Sequence, residues 1–535
     1  MKVSQATRGM NMTNNNINVT TSVDVLVVGG GVNGVGVALD AAGRGLNVAL
    51  CEKGDLGGAT SSSSSKLIHG GLRYLEHYEF RLVKEALAER EVLLAKAPHI
   101  MWPLRFRLPH QKHLRPAWMI RIGLFLYDSL AKRNMLPRSK KLSTSSNGPL
   151  VSDIKTCFEY SDGWVDDARL VVLNALAAQD QGATIFPRTE CTHAEKLADR
   201  WRVTLKSSEG KTFTVEAKSI VNAAGPWAVS FLDRLADIKN PNAMRLVKGS
   251  HFIVPKLYDT DEAYILQNKD GRIVFVIPYE DDFSLVGTTD ENYTGDPSQA
   301  AISDAETDYL IDIVNTYFKT KISRDSVVHS YSGVRPLLEE ANASAQELTR
   351  DYKVELIGEK NTPMLLNIFG GKITTYRKLA EHAVDKLAAH FPRAGKAWTK
   401  DVPLPGGAFD GQEALFNNLS QQYPWLPSTI ARRYVRQYGL LCHKFLDEKQ
   451  SINAMGENFG ADLYQAEVDY LIEHEWAMTL EDVIWRRTKQ GLRLTLAQKQ
   501  HLESYILSKQ NVGLNPAAMG NESGEPNPQS IPKTA

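Results

Sequence analysis

The chain has 535 residues with 62 basic and 62 acidic side chains, so it carries no formal net charge; a protein that holds nucleic acid by bulk charge is excluded, though local basic patches are not. Its four cysteines, Cys51, Cys157, Cys191 and Cys442, are scattered without a CxxC pair, which excludes an iron–sulfur or zinc motif, argues against a disulfide framework and leaves no metal expected. The length suffices for two or three domains, and no apolar run reaches the ~20 residues that span a bilayer.

Residues 1–22 are polar and lack the apolar core of a secretory signal, so a disordered extension is expected there. From Asp24 to Glu52 the pattern changes: an apolar run Val25–Val28, then Gly29-x-Gly31-x-x-Gly34, a helical stretch with Ala38, Ala41 and Ala42, a Gly43-Arg44-Gly45 stop, and a second apolar run ending in Glu52. Strand, glycine turn, helix, strand and acid in this order form a dinucleotide-binding βαβ unit. Gly29 is expected to make the tight turn, Gly31 to let a pyrophosphate approach the backbone, and Gly34 to let helix and strand pack. Glu52, 18 residues past Gly34, is placed to accept bonds from an adenosine ribose and would repel a 2′-phosphate.

The five serines Ser61–Ser65 have linker composition, but a loop just after the second strand of such a unit runs beside the cofactor, where small hydroxyls can bond it. An amphipathic helix is expected over Tyr78–Ala97, with Leu82, Ala86 and Leu93 on one face and Glu85, Glu89 and Lys96 elsewhere. Between Arg105 and Lys141 an apolar block, Ala117–Tyr127, is flanked by Lys112, Arg115, Lys132, Arg133, Arg138, Lys140 and Lys141. It reads equally as a segment lying in a membrane interface or as a core helix with a basic rim.

A hairpin over 201–222, with strands at 201–205 and 212–215, leads into the apolar strand end Ile220–Asn222 and Ala223-Ala224-Gly225, a late strand of the nucleotide domain. Strand signals at 251–254, 273–277 and 283–286, the last followed by Gly287-Thr288-Thr289-Asp290, predict an inserted antiparallel sheet as the substrate platform. Arg335 closes another strand, and Met364–Phe369 runs into Gly370-Gly371-Lys372 ahead of a helix over 374–390. Two glycines and a lysine at a helix N-terminus stabilise negative charge on a flavin or on a substrate phosphate. After the Leu404-Pro405-Gly406-Gly407 stretch the chain is helical and charged to about 507, and the tail from about 513 is polar.

The N-terminal unit, SSKLIHGGLRYLEHYEFRLVKEALAERE, YSDGWVDDARL, VNAAGPW, IPYEDDFSLVGTTD, YSGVRPL and FGGKITTYRKLAEHA together closely resemble the aerobic FAD-dependent glycerol-3-phosphate dehydrogenases, over about Asp24–Leu507. The resemblance implies an α/β FAD-binding domain of the glutathione-reductase-like type over 23–397. It implies an interleaved antiparallel-sheet substrate domain at roughly 77–160 and 240–350, a helical domain over 398–510, and a disordered tail over 511–535. It also implies oxidation of sn-glycerol 3-phosphate to dihydroxyacetone phosphate by hydride transfer to FAD, with a membrane quinone as acceptor. The enzyme would sit peripherally on the cytoplasmic face of the inner membrane, or be soluble in the cytoplasm, and a homodimer is possible.

For that chemistry His69 and Lys372 are the candidate bases, and Arg73 and Arg335 the cations for a phosphate dianion. By resemblance Tyr74 and Arg350 lie near substrate, and Thr60, Ser61, Ser65, Lys66, Leu67, Gly371 and Thr374 contact FAD. The alternatives are a glycerol-3-phosphate oxidase that reduces oxygen to hydrogen peroxide, an amino-acid oxidase on the same architecture, and a non-catalytic nucleotide-binding module. The anaerobic counterparts are disfavoured by the missing cysteine clusters.

Overall fold

A computed structural model of the protein describes residues 20–132, 135–233, 244–338, 351–359 and 362–513. The extension up to residue 19, Arg133, Arg350 and the tail from residue 514 lie outside them, as does the side chain of Arg73. The described residues fall into two compact units that divide between Ala454 and Met455.

The first unit opens with β1 (Thr20–Val28), α1 (Val32–Gly43) and β2 (Val48–Cys51), then a short strand β3 (Leu67–Ile68) beyond the serines. Next come α2 (Phe80–Lys96), β4 (Met101–His110), α3 (Ala117–Ser129), β5 (Lys140–Ser143), β6 (Thr156–Val165) and α4 (Asp167–Asp180). The strands β7 (Thr184–Phe186), β8 (Thr189–Lys196), β9 (Trp201–Ser207) and β10 (Thr212–Asn222) follow, with α5 (Ala228–Leu232) after them. The chain then enters β11 (Met244–Pro255), β12 (Ala263–Gln267), β13 (Ile273–Tyr279), β14 (Phe283–Gly287) and β15 (Glu291–Asn292). It returns through α6 (Asp304–Tyr317), β16 (His329–Leu338), β17 (Tyr352–Ile357), β18 (Met364–Gly370) and α7 (Tyr376–Ala388).

These strands make two sheets. The first has the order β17-β18-β10-β1-β2-β7, with β9 and β8 continuing from β10. Its centre is parallel, and register aligns Val28 with Cys51 and with Asn222, and Asn222 with Asn367. The carboxyl ends of β1, β2, β10 and β18 therefore lie in one row, so Gly29, Glu52, Ala223 and the Gly370-Gly371-Lys372 turn emerge along one crevice, where such sheets bind ligands. Ala38, Ala41 and Ala42 are buried on α1, and a side chain on Gly36 would press within 3.0 Å of Tyr376, so small residues let α1 lie against its neighbours.

The second sheet, β15-β11-β14-β13-β12-β4-β6-β3 with β16 on β11 and β5 on β6, is antiparallel except where β12 meets β4. One core beneath it gathers Phe252, Val254, Tyr264, Val276 and Val286 against Leu310, Val314 and Tyr317 of α6. Helix α6 begins with a capping box in which Ser303 and Glu306 bond each other's backbone N–H groups. Residue Arg335 lies inside β16, opposite Val247 of β11, rather than at a strand end. The sequence period missed the burial of Glu89 and Lys96: Glu89 pairs with Arg377, and Lys96 donates to the Thr399 carbonyl.

Helix α3 shows how the apolar block is used. Trp118, Ile122 and Phe125 are 63%, 52% and 64% exposed at i, i+4 and i+7, whereas Leu124 and Tyr127 on the other side are buried. The block is a surface helix rather than a core one. Among the described residues no helix is long and apolar enough to cross a membrane.

Residues 398–454 fall in the first compact unit and include α8 (Gln412–Gln422), α9 (Ser428–Tyr438) and the single turn α10 (His443–Leu446). The second unit holds α11 (Gln465–His474) and α12 (Leu496–Gly513), with the buried Arg487 donating to the Glu475 carbonyl at 2.6 Å.

Candidate active site

The glycine turn after β1 has steric reasons at each position. Gly29 has φ +113°, and a Cβ there would sit 2.4 Å from the Ala223 carbonyl oxygen; at Gly34 it would sit 1.9 Å from the Gly29 oxygen. Gly31 differs. A Cβ on it would meet only Ser61 Oγ, at 3.2 Å, so space remains there for a ligand to approach the start of α1. Ser61 Oγ accepts the Val32 N–H at 3.0 Å, holding the serine loop onto the same helix end. Glu52 accepts the Gly30 and Gly54 N–H groups, each at 2.7 Å, through separate carboxylate oxygens. Burial raises its carboxyl above the usual range, against the pull of these two bonds.

The serine loop is no linker. Thr60 donates to the Val334 carbonyl at 2.7 Å, a Cβ on Gly333 would touch Ser63, and Tyr331 donates to the Ser64 carbonyl at 2.9 Å. Ser65 Oγ lies 2.9 Å from His251 Nε2. The loop thus runs from the N-terminus of α1 along β16 and β11. Lys66, expected at the flavin, instead turns its side chain inward: it is buried with φ +57° and pairs with Asp167 at 2.7 Å. Burial works against its charge, but Asp167 outweighs this and holds the ammonium above its usual range. Only its backbone is left for a cofactor contact. Leu67 is likewise buried, in β3.

On the far side of the crevice Gly370 and Gly371 adopt φ +72° and +102°, so the turn carrying Lys372 needs glycine at both. Asn33 of α1 donates to the Gly370 carbonyl at 3.2 Å. Lys372 Nζ stands 3.7 Å above the ring of Tyr74. Thr374, buried at the following turn, accepts the His69 N–H at 3.2 Å. The structure therefore brings His69, Tyr74, Lys372 and Thr374 together. Arg73 lies in the same 3-10 turn as Tyr74, Leu72–His77. Arg335 is on β16, which runs beside the Gly370-Gly371-Lys372 turn: a Cβ on Gly370 would lie 3.7 Å from the Pro336 carbonyl oxygen.

Three neighbours of Arg335 had no sequence signal. Asp290 forms an ion pair with it, and Thr288 Oγ accepts from it at 3.2 Å. Both fall in the Gly287–Asp290 stretch after β14, which strand patterning registers only as a strand end. His251 is the other: it is buried, stacks on Tyr331 with ring centres 4.9 Å apart, and is held neutral by burial and by the charges of Arg335 and Lys66. A histidine inside an apolar strand gives no local sign of this.

The residues at the crevice fit FAD. Gly31 is open enough for a pyrophosphate to approach, the partly buried Glu52 carboxylate is held by two backbone N–H groups at the end of β2, and the Gly371–Thr374 turn meets them from β18. The comparisons agree. Residues 24–377 match the family described as FAD dependent oxidoreductase, and residues 397–506 match the C-terminal domain of alpha-glycerophosphate oxidase. The aerobic glycerol-3-phosphate dehydrogenase of Escherichia coli is 51% identical over 486 residues, 90% of this chain and 97% of that one. A D-erythritol 1-phosphate dehydrogenase of Brucella abortus is 50% identical over 482 residues, 89% of this chain and 96% of that one. In fold, the chain resembles a glycerol-3-phosphate dehydrogenase of Bacillus halodurans complexed with FAD, with TM-score 0.71 at 24% identity over 94% of this chain and 97% of that one. This chain is an FAD-binding flavoprotein and belongs to the FAD-dependent oxidoreductase family, in its glycerol-3-phosphate dehydrogenase branch.

Proposed function

We propose that the protein oxidises sn-glycerol 3-phosphate at C2 to dihydroxyacetone phosphate, with the electrons leaving through FAD to a membrane quinone. The observation that carries the reading is the cluster of His69, Tyr74, Lys372 and Thr374 beside the strand that bears Arg335. FAD, when bound, supplies the acceptor for the hydride from C2. Arg335 and Arg73 receive the phosphate, for which a guanidinium fork is well matched. Asp290 and Thr288 hold the Arg335 fork in place before substrate arrives. A ring nitrogen of His69 takes the C2 hydroxyl proton, while Lys372, a compact cation, stabilises the charge that develops on that oxygen. Tyr74 and Arg350 give further substrate contacts.

Attachment to the membrane surface fits helix α3, whose exposed Trp118, Ile122 and Phe125 are flanked in sequence by Lys112, Arg115, Lys132, Arg138, Lys140 and Lys141. A second reading, D-erythritol 1-phosphate as substrate, follows from the Brucella relative, which is about as similar as the glycerol-3-phosphate enzyme. Anaerobic titration separates the two: bleaching of the flavin band by glycerol 3-phosphate at a rate well above that for D-erythritol 1-phosphate supports the first, and the reverse order overturns it. Reoxidation by a soluble ubiquinone analogue much faster than by oxygen supports the quinone. Rapid reoxidation by oxygen with stoichiometric hydrogen peroxide would make the protein an oxidase.

A further inference from the structure

The turn His69-Gly70-Gly71 is gripped from two sides. The His69 N–H donates to Thr374 Oγ at 3.2 Å. The next N–H, that of Gly70, donates to the Tyr127 hydroxyl at 2.8 Å and lies 3.4 Å from Asp162 Oδ1. Tyr127 comes from the buried side of α3 and donates in turn to Asp162, with its oxygen 2.8 Å from each carboxylate oxygen. Arg90 of α2 completes the unit, reaching Asp162 Oδ1 at 2.5 Å and the Ser161 carbonyl at 3.1 Å. All three side chains are fully buried.

The geometry is specific to this contact. A Cβ on Gly70 would lie 2.7 Å from the Tyr127 oxygen and 2.5 Å from Leu87, so only glycine lets the hydroxyl reach the backbone. Gly71 follows with φ +75°. A hydroxyl that accepts from the turn and donates to a fixed carboxylate has no rotational freedom left. A buried ion pair is a poor source of stability, since apolar residues of the same volume do as well. What this one supplies is a fixed position for the backbone next to His69.

We propose that Tyr127, oriented by Asp162 and Arg90, is a positioning residue that sets the His69 imidazole for proton removal. This rests on the reading of His69 as the base. Displacing a reacting group by about 1 Å costs up to about a hundredfold in rate.

The test is a cycle of Y127F, H69N and the double variant as FAD-loaded enzymes, read by anaerobic stopped-flow reduction with glycerol 3-phosphate. Y127F should retain FAD and its half-saturating substrate concentration, slow flavin reduction by about tenfold or more, and cost nothing further in the H69N background. A wild-type rate for Y127F, or an equal loss with and without His69, overturns the positioning role and leaves the base intact. A wild-type rate for H69N overturns the base reading and this inference with it. If Y127F does not retain FAD, the same cycle with Asp162→Asn decides by the same outcomes.

Discussion

Replacing Arg335 with leucine is the most direct test of the proposed phosphate site. Arg335 is 24% exposed on its side chain and is held by Asp290 and, at 3.2 Å, by Thr288. A charge-assisted bond of this kind is worth about 1.5–3 kcal/mol, which is roughly 10- to 150-fold in kcat/KM if one such bond to the phosphate is lost. The structure pushes the expectation to the upper end. Without the guanidinium, the Asp290 carboxylate loses its countercharge and opposes a phosphate dianion beside it. R335L should therefore lose about a hundredfold with glycerol 3-phosphate, and the R335L/D290N double variant should recover part of that loss. Arg335→Lys, which keeps the charge but not the fork, should fall between. Anaerobic stopped-flow reduction measures these rates, with FAD content as the control. Glycerol lacks the dianion, so its slow oxidation should not change in R335L. Equal losses for glycerol and glycerol 3-phosphate, or no loss for either, would refute a phosphate role for Arg335.

Glu52→Gln puts an amide N–H₂ against the Gly30 or Gly54 N–H, each 2.7 Å from the present carboxylate. With its one oxygen turned to the backbone, the amide no longer offers a charged acceptor to the ribose, and the apoprotein should bind FAD about 10- to 150-fold more weakly, from ~1.5–3 kcal/mol for one charge-assisted bond; unchanged affinity by fluorescence titration would discount Glu52. I122D/F125D on α3 should leave the protein folded, because both side chains are exposed, yet abolish sedimentation with anionic liposomes. An aggregated double variant, or one that still pellets, would speak against membrane docking by this face. His99 is fully buried, and burial with the nearby Arg169 charge pushes its pKa down to about 3. An unfolded histidine takes its proton near pH 6.5, so the stability this group contributes is intact above pH 6.5 and is lost as pH falls from 6.5 towards 3. At pH 5 the loss is ~2 kcal/mol. The melting temperature of the wild type should fall more steeply between pH 7 and 5 than that of His99→Gln, and parallel slopes would refute this.

Much of the cofactor half was legible in the chain because its signals are local. The βαβ unit lies within 30 residues: glycines at Gly29 and Gly34 where a side chain would strike the backbone, two short apolar runs and one acid at fixed spacing. The Gly370-Gly371-Lys372 turn and the helix after it were readable for the same reason. Only the tertiary structure decided which face of α3 is buried and which is exposed, because an apolar stripe has the same period whatever covers it. Distance along the chain hid the rest. The Arg335–Asp290 pair joins residues 45 apart, Tyr127 reaches Gly70 across 57, and His69 meets Thr374 across 305. Lys66 lies in the loop expected at the flavin, yet Asp167, 101 residues on, draws its ammonium into the interior. Such contacts are set by sheet register and by which buried charges must be paired, and no short stretch of sequence encodes either.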